Sequence, residues 1–134
     1  MNVDSIHLVP IFVTAFIYVA LGSFWYSPWL FDTLWMKESK ITPENSGPPW
    51  GAILGGFCSA LLMSYVLALF ITWTQVHSIA EGASIGFWLW LGFVATSLFA
   101  NVLWENKPFK LYLINAGFIL LYLLIGGAIL SFWR

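Results

Sequence analysis

Apolar residues fill four long stretches of the chain, and charged side chains fall only between them. No charge stands between Asp4 and Asp32, between Glu44 and Glu81, between Glu81 and Glu105, or between Lys110 and Arg134. Each gap exceeds the roughly 20 apolar residues that cross a hydrocarbon core of about 30 Å. The pattern predicts helices over about 6–26, 50–73, 82–104 and 109–133. In a water-soluble bundle, four such helices would leave no polar face for solvent. The fold class expected is therefore all-α: a polytopic membrane protein in which residues 1–134 form a single membrane domain.

Between the first two helices a different pattern appears. Ser27-Pro28 reads as an N-cap followed by proline at the first helical position. Leu30, Phe31, Leu34 and Trp35 then recur at helical spacing, with Asp32, Thr33, Lys37, Glu38 and Lys40 among and after them. This predicts a short amphipathic helix at about 28–40, lying in the interface. The Pro-, Gly- and Ser-rich run 42–49 reads as a connector.

Tryptophan sharpens the helix ends. Of the nine, Trp25, Trp29, Trp35, Trp50 and Trp104 fall near one set of ends, and Trp73 and Trp133 near the other. An indole has an apolar body and an N–H that favours the headgroup region. Trp88 and Trp90 lie deeper. Orientation follows from lysine: Lys37, Lys40, Lys107 and Lys110 flank one side and only Arg134 the other. The connections between helices 1 and 2 and between helices 3 and 4 are therefore expected in the cytoplasm, with both termini outside. The expected location is the cytoplasmic membrane of a bacterium.

Composition agrees with lipid as the solvent. Of 134 residues 60% are hydrophobic and 8% charged, against about 25% charged in ordinary soluble domains. The net charge of −1 offers no footprint for nucleic acid. The single cysteine, Cys58, cannot form an internal disulfide. Asp4 and His7, but no lysine or arginine, precede the first apolar run, which is too long for a typical secretory signal.

The stretch Gly22-Ser23-Phe24-Trp25-Tyr26-Ser27-Pro28-Trp29-Leu30-Phe31, closing with Trp35-Met36, resembles the signature of a family of small bacterial and fungal membrane proteins, domain of unknown function 1761. Trp90-Leu91-Gly92-Phe93-Val94 and Leu113-Ile114-Asn115-Ala116-Gly117-Phe118 resemble that family's later helices. Asp32 departs from the glycine expected after the Leu-Phe pair. The resemblance covers nearly the whole chain and implies a four-helix membrane protein. It implies no activity.

Candidate chemistry is sparse. No helix carries an ionisable residue near its middle, which counts against a proton-coupled exporter. The uncharged polar groups Asn101 and Asn115, with Trp25, Tyr26, Ser27 and Glu105, gather near one membrane face. They read either as bonds between helices or as a polar pocket open to the cytoplasm. Asn115 is expected to face the bundle and to bond either Asn101 or the Tyr26–Ser27 end of helix 1. On the other face, Asp4 with His7 and His77 with Glu81 have helical spacing and form a weak metal-site candidate, more simply read as solvated residues. Gly51, Gly55 and Ser59 form a small-residue stripe, with Ala52, Gly56 and Ala60 beside it. Gly82 with Gly86, and Gly127 with Ser131, form others. Such stripes let helix backbones approach closely. Most are expected inside the bundle, while the first is also a candidate homo-oligomer surface. No P-loop, zinc motif or catalytic triad spacing is present, so neither an enzyme nor a cofactor is expected. Two function classes remain. One is an oligomeric channel, transporter or small-molecule-binding subunit. The other is a non-catalytic accessory or structural protein contacting lipid or a larger membrane complex.

Overall fold

The computed structural model describes residues 8–26, 37, 49–76 and 78–133. Among these there is no strand, and four helices are long and apolar enough to cross a membrane: α1 (Leu8–Trp25), α2 (Pro49–Trp73), α3 (Ile79–Trp104) and α4 (Phe109–Phe132). The interfacial helix expected at 28–40, apart from exposed Lys37, lies outside the described residues.

Local chemistry sets the helix ends. Proline at the start of α2 lacks only an N–H that would have no partner there. α3 begins three residues earlier than the apolar pattern predicts. The Ser78 hydroxyl accepts the Glu81 backbone N–H at 3.1 Å, and Glu81 places an acid in the first turn, the S-x-x-E arrangement that starts a helix. α3 stops where Asn106 adopts a left-handed φ of 55°, and the Lys107 N–H closes back on the Asn101 carbonyl at 3.1 Å. Only the four residues 105–108 then separate it from α4.

α4 lies at the centre of the packing. It meets α3 most extensively, and α1 and α2 as well. Its buried residues run its whole length, from Leu111 through Ile114, Phe118, Tyr122 and Gly126 to Leu130. α1 turns Pro10, Ile11, Thr14 and Ala15 inward. α2 turns Ala60, Ser64, Leu67, Ala68 and Ile71 inward.

Glycine fixes the α3–α4 seam. A Cβ at Gly82 would collide with the Gly127 carbonyl oxygen, one at Gly127 with the Gly82 carbonyl, and one at Gly86 with the Leu123 carbonyl. Here the two backbones touch, which only residues without side chains permit. A Cβ at Gly51, Gly55 or Gly56, by contrast, would meet none of the described residues within 4 Å.

Midway along α3 the helix widens into a π turn over Trp90–Ala95. Its face towards α4 explains why. Gly82, Gly86 and Trp90 step by four, and the next buried residue, Ala95, comes five later. In a regular α-helix a five-residue step would rotate Ala95 about 140° from Trp90. The extra residue in the wide turn removes about 100° of that rotation. Ala95, Leu98 and Val102 therefore stay against α4.

The outer faces of all four helices are as apolar as the interior. Phe16 is 70% exposed, Leu62 64%, Phe93 71% and Trp104 84%. A surface of this kind is stable only in lipid.

Candidate functional site

From the end of α1 and the middle of α3, side chains close on five consecutive residues of α4, Ile114 to Phe118. The Trp25 indole N–H donates to the Ile114 carbonyl at 3.0 Å, and the Tyr26 hydroxyl donates to Asn115 Oδ1 at 2.7 Å. From α3, the Trp90 indole N–H donates to the Ala116 carbonyl at 2.8 Å. Gly117 leaves room for Trp25, since a Cβ there would lie 3.3 Å from the indole. Phe118 packs between Tyr18 (ring centroids 4.9 Å apart) and Tyr26 (5.6 Å), over Gly22, where a Cβ would lie 3.2 Å from the ring. A helix carbonyl has a second lone pair, so α4 accepts both indoles without losing its own ladder. One further bond runs the other way: the Tyr112 hydroxyl donates to the Ala95 carbonyl at the end of the π turn, at 3.0 Å.

Beside this clamp lies a chamber of about 20 Å³ lined by Leu98, Asn101, Val102, Lys107, Leu111, Tyr112 and Asn115. That is room for about one water molecule. Asn101 and Asn115 both border it, and one water there would bridge the two amides.

The residues singled out from the sequence thus divide. Trp25, Tyr26 and Asn115 are joined by direct contacts around Ile114–Phe118, and Asn101 meets Asn115 only across the chamber. Glu105 is exposed at the end of α3. Ser27, Asp4, His7 and His77 lie outside the described residues, and Glu81 serves the start of α3. Among the described residues no three His, Cys, Asp or Glu side chains come together as metal ligands.

Sequence reasoning passed over a second polar contact, deeper in the bundle. Ser64 of α2 and Tyr122 of α4, both fully buried, share a 2.6 Å hydrogen bond. Tyr18 meets Tyr122 edge to face at 5.0 Å. The available signal was the four-residue rhythm Gly56, Ala60, Ser64, Ala68, which continues the second small-residue stripe of α2 into the core.

Fold and site together define a small polytopic α-helical membrane protein whose polar side chains hold helices to one another. Over residues 9–131 the chain matches the family described as "Protein of unknown function (DUF1761)", and it belongs to that family. No curated protein and no solved structure matches it. The clamp joins all three stretches in which the family resemblance is concentrated, through Gly22–Tyr26, Trp90 and Ile114–Phe118.

Proposed function

We propose that the chain is a non-catalytic component of the membrane. It acts through its lipid-facing surface, on lipid or on membrane partners, and does not pass a solute through its own bundle. One observation carries this reading: of the residues that read either as bonds between helices or as a cytoplasm-facing pocket, Trp25, Tyr26 and Asn115 are engaged in bonds between helices, and the adjoining chamber of about 20 Å³ is far below the roughly 300–1,000 Å³ of small-molecule sites. A second copy of the chain is the partner proposed for the uncovered stripe Gly51, Gly55 and Ser59.

Vesicles containing the protein and loaded with proton- and potassium-sensitive dyes test the reading. Both gradients should decay as slowly as in protein-free vesicles. Rapid dissipation that Asn115→Leu abolishes would replace this proposal with a solute pathway through the Asn101–Asn115 chamber.

A further inference from the structure

α2 and α3 touch only lightly, and between them runs a groove of about 410 Å³. Leu62, Val66 and Phe70 of α2 form one wall, Leu89 and Phe93 of α3 the other, and Leu123 of α4 lies on the floor. Among the described residues no charged or polar side chain lines it. We infer that this groove binds one acyl chain of a membrane lipid in the leaflet on the side of the α2–α3 turn.

Three features select that occupant. The lining offers hydrocarbon and nothing else, so it matches a chain without polar atoms. Length matches too: from Leu62 to Phe70 the groove runs about 12 Å along α2, close to the about 15 Å of hydrocarbon in one leaflet. Finally, the rim is continuous with the lipid-facing surface, for Leu62 and Phe93 are both well exposed. A partner helix is a poorer fit. Close helix packing needs small residues at the point of approach, and the groove walls are leucine, valine, methionine and phenylalanine. The small residues of this same α2 face, Gly51, Gly55 and Ser59, lie further along the helix, beyond the groove.

The inference deepens the lipid-contact reading above and is tested separately from it. The full chain is reconstituted in phosphatidylcholine vesicles containing a trace of phosphatidylcholine with a diazirine in its acyl chain. After irradiation, adducts are mapped by mass spectrometry. Groove positions Leu62, Val66 and Phe93 should carry several-fold more label than Phe16, an exposed residue of α1. Val66→Phe, which fills the groove, should bring Leu62 and Phe93 down to the level of Phe16 and leave Phe16 unchanged. Equal labelling of groove and Phe16 in the wild type overturns the inference. So does a groove free of label whose Phe93→Cys variant forms a disulfide between copies in a Cys58→Ser background, because a second copy then covers it. Dissipated ion gradients together with a labelled groove would end the non-conducting reading and leave the lipid site standing.

Discussion

Asn115 stands six residues into α4, and its side-chain Oδ1 accepts a hydrogen bond from the Tyr26 hydroxyl at 2.7 Å. An amide in an apolar run has to find a partner on another element, which is why the sequence pointed to this residue and to two candidate partners, Asn101 and the Tyr26–Ser27 end of α1, of which Tyr26 makes the bond. Ser64 and Tyr122 were not visible in the same way. A hydroxyl on a membrane helix can bond its own preceding turn, as Thr14 does to the Pro10 carbonyl at 2.7 Å, so it gives no sign that a neighbouring helix is involved. Bonds between membrane helices contribute about 0.6 kcal/mol on average and at most about 1.7. A double-mutant cycle of Tyr26→Phe and Asn115→Leu, followed by unfolding in detergent, should give a coupling energy in that range with the fold retained. A coupling near zero would mean that the bond adds nothing to the closure of α1 on α4.

At the scale of the element, charge gaps and tryptophans located the four helices, because lipid imposes a length and a boundary chemistry on each. The finer features were set by contacts rather than by hydropathy. The α3 start moved to Ile79 through the side-chain cap of Ser78. The π turn is legible only once Gly82, Gly86, Trp90 and Ala95 are known to share one face, since the step of five among steps of four is otherwise one apolar spacing among many. That account makes a sharp prediction. Deleting Gly92, exposed inside the π turn, should convert it to regular α-helix and leave both halves of α3 facing α4, with the protein folded and monodisperse by size-exclusion chromatography. Deleting Ser97, equally exposed but outside the turn, should rotate Leu98 and Val102 by about 100° and cause aggregation or degradation. Equal tolerance of both deletions would show that the turn does not set the phase.

For the whole molecule, the glycine-rich stripes sort into two uses. Gly82, Gly86 and Gly127 are consumed in the α3–α4 seam, whereas Gly51, Gly55 and Ser59 are exposed, and among the described residues none stands against the two glycines. Sequence alone could not separate these cases, because spacing shows that a stripe exists and not which helix faces it. If the outward stripe joins two copies, Gly55→Leu should shift reconstituted protein towards single-step photobleaching, and Gly92→Leu, also exposed, should not. An unchanged step distribution for Gly55→Leu would remove the second copy from this face.

The central position of α4 also bears on how the protein is made. Translation delivers α1, α2 and α3 to the insertion machinery before the helix on which all three rest. Until α4 follows, the Trp25 and Trp90 indoles lack the carbonyls they bond, and the glycine seam of α3 has no opposite side. The nascent chain is thus held as an unfinished assembly for most of its synthesis. A stop codon placed after Asn106 would leave α1 and α2 able to pack on each other but α3 without the seam it rests on, a species for membrane proteases to clear.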